Sequence, residues 1–233
     1  MRGYGIILLD ADQTLFDFHL AERGAFLSTM GWLGLPGEEL LPRYIEINEG
    51  LWRALERGEI TQEALKIERF RLLFAELGVA HDPAACSRVY LDALGEGCYL
   101  LPGAQALCEA LAAAERRLYI ATNGIGAVQR RRLARSAICT YIDDIFISEE
   151  LGSYKPEPDY FDRLFARLGD PDRGRAILLG DSIASDMRGG RAAGVATCWL
   201  NPAGLPCPEP SLCDYEIRAL EGFLPIALGQ ADG

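Results

Sequence analysis

The chain has 233 residues, 49% of them hydrophobic and 24% charged, and carries a formal net charge of −11. This is the make-up of a globular protein with room for a large core domain and a smaller one. The acidic balance excludes the basic surface with which proteins offset nucleic-acid phosphates, yet leaves room for a local cationic site that takes one phosphate.

The chain opens on a short apolar run, Gly5-Ile6-Ile7-Leu8-Leu9, which stops at Asp10. Its β-branched members and lack of alternation predict a strand buried on both faces. The run is too short for the core of a signal peptide, and no stretch nears the ~18 apolar residues of a membrane span. A cytoplasmic protein is expected, engaging neither membrane nor nucleic-acid polymer, as a monomer or homodimer. The seven cysteines contain no Cys-x-x-Cys pair, and His19 and His81 stand in no ligand spacing with them. Thiols in a reducing compartment are expected rather than a structural zinc site.

From about Phe18 to Tyr99 the apolar residues recur at helical spacing. The segments are Glu22 to Met30, Glu39 to Glu56, Thr61 to Leu77 and Pro83 to Leu94, punctuated by Gly31, Gly34, Pro36, Gly37, Gly58 and Gly78. Thr61 suits the N-cap of its helix. A bundle of about four helices is expected over residues 17–99, with Trp52, Phe70, Phe74 and Tyr90 in its core.

Beyond Leu101-Pro102-Gly103 strands and helices alternate. Strands are expected at Leu118 to Ala121, Ile142 to Ile147, Ala176 to Leu179 and Val195 to Leu200. Helices are expected at Pro158 to Leu168, with proline well placed at its start, and at Ser185 to Ala193. Arg130-Arg131-Arg132 with Arg135 reads as a solvated helix face, and Asn201 to Cys213 as a surface loop. Such alternation implies an α/β fold, a Rossmann-like parallel sheet core built from residues 1–16 and 100–233 around the helical insertion.

Sites in open parallel sheets form at the carboxyl ends of strands. Here those ends carry Asp10-Ala11-Asp12-Gln13-Thr14, then Thr122-Asn123-Gly124, then Gly180-Asp181-Ser182 with Asp186 a turn later. Lys155 precedes the helix leading to that last strand. It is one of two lysines, with Lys66, among 23 cationic residues, so a lysine there is unexpected from background. Helix capping accounts for some polar residues at these places, but not for two acids, a third acid and a lysine together. Gly124-Ile125-Gly126 lacks the third glycine of a dinucleotide fingerprint and follows the wrong strand for one.

Taken in order, Asp10-Ala11-Asp12-Gln13-Thr14-Leu15, Ile120-Ala121-Thr122-Asn123-Gly124, Lys155-Pro156 and Gly180-Asp181-Ser182 with Asp186 resemble the four motifs of the haloacid dehalogenase superfamily of phosphatases. The resemblance covers nearly the whole chain, and it makes the insertion similar to that family's four-helix cap domain. Asp10-Ala11-Asp12, Ser148-Glu149-Glu150-Leu151-Gly152 and Thr197-Cys198-Trp199-Leu200-Asn201 further resemble its pyrimidine 5′-nucleotidase branch.

The resemblance implies Asp10 as nucleophile and Asp12 as acid/base on a small phosphorylated metabolite. Thr122 and the backbone N–H groups of Asn123 and Gly124 would hold phosphoryl oxygens, and Lys155 would neutralise both the phosphate and Asp10. Mg2+ would lie on the Asp10 carboxylate, the Asp12 carbonyl and the Asp181 carboxylate, with Asp186 a water-mediated ligand or a loop anchor. Phe16, Asn48 and Arg69 are candidates for contact with the leaving group. Other small substrates, such as a sugar phosphate or phosphoglycolate, stay open. So do a 2-haloacid dehalogenase and a catalytically idle interaction protein, although Asp12 argues against the dehalogenase because a halide needs no proton donor.

Overall fold

The computed structural model describes residues 3–230. In chain order these hold β1 (Ile6–Leu9), α1 (Phe18–Leu33), α2 (Gly37–Glu56), α3 (Gln62–Leu77), α4 (Pro83–Glu96), α5 (Ala104–Ala113), β2 (Arg117–Thr122), α6 (Gly126–Arg135), β3 (Asp144–Ile147) and α7 (Ser148–Leu151). Then follow α8 (Pro158–Arg167), β4 (Ala176–Gly180), a π-helical turn (Ile183–Met187), α9 (Arg188–Ala192), β5 (Ala196–Leu200), β6 (Tyr215–Ile217) and α10 (Phe223–Leu228). The chain divides into two compact units, one made of the residues up to Phe18 and from Cys98 onward, the other of His19–Gly97.

The first unit is a six-stranded sheet in the order β3-β2-β1-β4-β5-β6, parallel throughout. Strand β1 lies between β2 and β4, with Leu9 beside Ile120 on one side and Leu179 on the other. Side chains alternate across the pleat into two cores. Ile7, Leu9, Leu118, Ile120, Ile177 and Leu179 face one, closed by α5 and α10 through Leu107, Leu111, Phe223 and Ile226. Leu8, Tyr119, Ala121 and Leu178 face the other, closed by Tyr160, Phe161, Leu164 and Phe165 of α8. This two-sided burial is why β1 reads as an unbroken apolar run, and each of its fully buried aliphatic side chains contributes about 2 kcal/mol.

The chain leaves this unit and rejoins it at one place. Asp17 donates its N–H to the Tyr99 carbonyl at 2.9 Å, Phe16 bridges to Leu100, and Leu101 N–H reaches the Leu15 carbonyl at 2.9 Å.

The second unit holds most of α1 and all of α2, α3 and α4. Thr61 caps α3 as expected, its side chain accepting the Ala64 N–H at 3.2 Å. The core is aromatic. Phe26 stacks on Tyr44 at 4.3 Å between centroids, and Phe70 lies 5.6 Å from Tyr44 and 5.4 Å from Tyr90. Phe70, Phe74 and Tyr90 take the core places expected of them, whereas Trp52 is only partly buried. Asn48 and Arg69 are buried inside the same bundle. The Asn48 amide donates to Glu22 Oε1 at 2.7 Å, and the Arg69 guanidinium lies 4.4 Å over the Tyr90 ring.

Several local features depart from expectation, among them α5 and α7, for which no helix was expected. The third strand starts at Asp144 because Asp143 exchanges hydrogen bonds with the Leu118 backbone instead: its N–H with the carbonyl, its Oδ2 with the N–H, each at 2.8 Å. The helix expected from Ser185 opens earlier, as the π-helical turn, and only then becomes α9. Strand β6 and helix α10 lie beyond the last element foreseen; β6 has three residues, too few to show a period. No helix among the described residues is long and apolar enough to cross a membrane.

Candidate active site

Strand β1 delivers Asp10 to the sheet's carboxyl edge. Its N–H still pairs with the Leu179 carbonyl at 2.9 Å, so the residue is held in line with the strand. A tight turn follows. Gln13 sits at φ 60°, and the Leu15 and Phe16 N–H groups both return to the Ala11 carbonyl. Asp12, two residues beyond Asp10, lies on the same turn but finds other partners. Gln129 Nε2 donates to its Oδ2 at 2.6 Å, and Arg132 Nη1 pairs with its Oδ1.

Lys155 ties three strand ends together. Its ammonium donates to Asp10 Oδ1 at 2.7 Å, to Asp186 Oδ1 at 2.6 Å and to the Ala121 carbonyl at 2.7 Å. Three acceptors suit three N–H bonds on one compact cation. The backbone of Lys155 is framed in turn by Asn123, whose Nδ2 donates to the Lys155 carbonyl and whose Oδ1 accepts the Lys155 N–H, both at 2.8 Å. Thr122 is buried, and its hydroxyl oxygen accepts the Gly124 N–H at 3.0 Å.

At the end of β4 the chain wraps around Asp186. Its Oδ2 accepts the Ser182 N–H at 3.1 Å, while its Oδ1 holds Lys155. Gly180 is required beneath it, because a Cβ there would lie 2.3 Å from the Asp186 carboxyl carbon. The carbonyl of Asp181 is fixed by the indole N–H of Trp199 at 2.8 Å.

Carboxylate oxygens of Asp10, Asp181 and Asp186 lie within 4.8 Å of one another. Burial pushes the Asp10 carboxyl well above the ordinary range; Lys155 opposes this, and Asp186 and Asp181 add to it. Burial, reinforced by Asp186, carries Asp181 up to about 7. Burial also opposes the charge on Lys155, but Asp10 and Asp186 outweigh it and hold the ammonium above the usual lysine value. A group of buried carboxyls that resist ionising together, with oxygen donors only, is what a hard divalent cation relieves. The residues therefore fit Mg2+.

The eight residues expected to serve the reaction, the phosphate or the metal thus stand on neighbouring connections at one edge of the sheet. Asp10, Lys155, Asp186 and Asp181 form its centre, Asn123 and Thr122 brace it, and Asp12 stands beside it on a separate pair of donors. One expectation is overturned. Arg132 is no solvated residue: it is fully buried, with its guanidinium 4.6 Å over the Phe16 ring, while Arg130, Arg131 and Arg135 are exposed. Phe16 is wholly buried beneath it. Sequence reading also passed over Gln129. The available signal was its spacing of three from Arg132, which puts both on one face of α6.

A haloacid dehalogenase-like hydrolase model matches residues 4–194. The chain is 36% identical to the HAD-hydrolase YfnB of Bacillus subtilis over 95% of this chain and 94% of that one. An orthorhombic crystal form of YfnB, bound to magnesium and revealing interdomain movement, superposes with a TM-score of 0.89 over 97% of this chain and 99% of the other. Pyrimidine 5′-nucleotidase PynA of Streptococcus pneumoniae is 32% identical over 95% of this chain and 94% of its own length. For pyrimidine 5′-nucleotidase YjjG of Escherichia coli the identity is 36%, over 92% and 93%. In sequence, in the order of its motifs and in fold, this chain belongs to the haloacid dehalogenase-like hydrolases.

Proposed function

We propose that the protein is a Mg2+-dependent phosphomonoester hydrolase working through an aspartyl-phosphate on Asp10, with pyrimidine nucleoside 5′-monophosphates as its substrates. One observation carries the reading: a buried carboxylate, Asp10, is held at 2.7 Å by Lys155 inside a cluster of acids, while a second carboxylate two residues on is kept apart from that cluster. That separation lets the two carboxylates do different work.

Asp10 attacks phosphorus and the ester oxygen departs, dividing one difficult displacement into two easier ones. Asp12 gives a proton to the departing alkoxide, then takes one from the water that cleaves the aspartyl-phosphate. Lys155, fixed by Asp186 and the Ala121 carbonyl, keeps Asp10 oriented and offsets negative charge in both steps. The Thr122 hydroxyl, which accepts the Gly124 N–H, keeps its own hydrogen to give to a phosphoryl oxygen. By likeness to the family's motifs Asp10, Asp181 and the Asp12 carbonyl are assigned as the direct ligands, and Asp186, which accepts on both oxygens, as the anchor of Lys155 and the loop. Mg2+ bound there supplies positive charge that offsets repulsion between an anionic nucleophile and an anionic phosphate.

The pyrimidine preference is supported by PynA and YjjG, both named as pyrimidine 5′-nucleotidases and both aligned over more than nine-tenths of this chain. The test is phosphate release with Mg2+ from UMP, CMP, dTMP, AMP, a hexose phosphate and phosphoglycolate. The reading expects pyrimidine nucleotides to lead in kcat/KM and Asp10→Asn to abolish release. Equal rates on the hexose phosphate or phosphoglycolate would remove the nucleotide assignment. Undiminished release by Asp10→Asn would remove the nucleophile.

A further inference from the structure

Arg132 stands in a run of arginines whose other members reach solvent, yet its own side chain is fully buried. Taking a guanidinium out of water is costly unless the charge is paired. What the arginine reaches is Asp12. Its guanidinium lies 4.6 Å over the Phe16 ring and pairs with Asp12 Oδ1, while Gln129, one turn earlier on α6, donates at 2.6 Å to Oδ2.

We infer that Arg132 and Gln129 are positioning residues for Asp12, acting on the reaction only through that carboxylate. The inference rests on the acid/base role proposed above for Asp12. One donor would leave the carboxyl group free to turn about its last bond; a donor on each oxygen fixes its plane. A proton-transfer group has to sit within hydrogen-bond reach of the atom it serves, and a misplacement of ~1 Å costs about 10²-fold.

Gly124 belongs to the same device. A Cβ there would fall 2.1 Å from Gln129 Nε2, on the amide that reaches Asp12. The connection after β2 is therefore bare of side chain where Gln129 passes, in addition to any contact its backbone makes with phosphate.

The test is a double-mutant cycle. Arg132→Met, Arg132→Lys and Gln129→Met are each made in the unmodified chain and in Asp12→Asn. Phosphate release from UMP is then measured with Mg2+, alongside thermal melting by circular dichroism. Arg132→Met should lower kcat by about 10–100-fold with KM changed by less than about threefold, and Arg132→Lys should recover part of the loss. In the Asp12→Asn background Arg132→Met should cost less than about threefold more, because the group it positions is already gone. Equal losses in the two backgrounds, or no loss in the unmodified chain, would overturn the inference. Should Arg132→Met fail to fold, Gln129→Met carries the same cycle, with an expected loss of about tenfold. Inactivity of the unmodified protein on every substrate would overturn the phosphatase reading and this inference with it. An active protein with equal losses overturns the positioning role alone.

Discussion

The Lys155 ammonium and the Asp186 carboxylate meet at 2.6 Å, and each side chain is only 1% exposed. Charges buried this deeply need their partners, and Lys155 is the cation that Asp186 meets. Asp186→Asn should therefore destabilise the fold by about 3 kcal/mol, the cost of breaking a buried pair from one side. It should also lower phosphate release at least tenfold, since Lys155 would then be held by Asp10 and a carbonyl alone. Thermal melting and a phosphate assay on one preparation check both. Unchanged melting would show that the pair is not what holds this turn.

Lys155→Arg keeps the charge and should still fail. The three acceptors close on one nitrogen from Asp10, Asp186 and Ala121, at 2.6–2.7 Å, around a side chain that is 1% exposed. A planar guanidinium spreads its donors too widely for that arrangement. The expected loss in kcat exceeds about 10²-fold, close to that of Lys155→Met. Activity near that of the unmodified protein would mean that charge alone is needed.

The acid cluster should leave a pH signature in the Mg2+-free protein. Asp181 titrates near 3.8 when unfolded and is raised to about 7 when folded, so between those values the folded state holds a proton that the unfolded state has lost. Its contribution to stability is complete below about 3.8 and fades as pH rises through about 7. In EDTA, then, the melting temperature of the unmodified chain should fall relative to Asp181→Asn as pH goes from 5 to 8. Added Mg2+ should raise the melting temperature by more at pH 8 than at pH 5, because it binds the ionised acids. A pH-independent difference between the two chains would show that Asp181 is not perturbed by its neighbours.

Helix α9 presses on the segment behind Lys155 through a glycine. A Cβ on Gly189 would lie 2.6 Å from the Phe161 ring and 3.0 Å from the Pro156 Cα. Gly189→Ala should cost about 1–3 kcal/mol, seen as a lowered urea midpoint with an unchanged slope. No shift in midpoint would mean that the two segments part freely.

Much of this could be read from sequence because it follows from periodicity. Leu8 and Leu9 feed opposite cores and so betray a strand with two buried faces. Asp10, Thr122 and Asp181 were found because parallel strands place their carboxyl ends side by side. The parts that escaped depend on what no single segment displays. Arg130, Arg131 and Arg132 look alike in a row, and only the rotation of α6 decides which one is buried. The roles of Asp186 differ by which atom fills its second oxygen, here the Ser182 N–H four residues back. Strand β6, three residues long, draws its existence from pairing with β5 and not from any pattern of its own.

The bond from Asp17 to Tyr99 and the bridge from Phe16 to Leu100 bring the two ends of the inserted segment to strand spacing. To the sheet, the whole span between them amounts to one closed loop. The entropy of closing a loop grows only with the logarithm of its length, so lengthening or trimming this one changes the folding free energy of the sheet unit very little. Residues 19–97 can thus change in length and sequence, within the limits of their own aromatic core, while Asp10, Lys155 and Asp186 keep their places on the sheet.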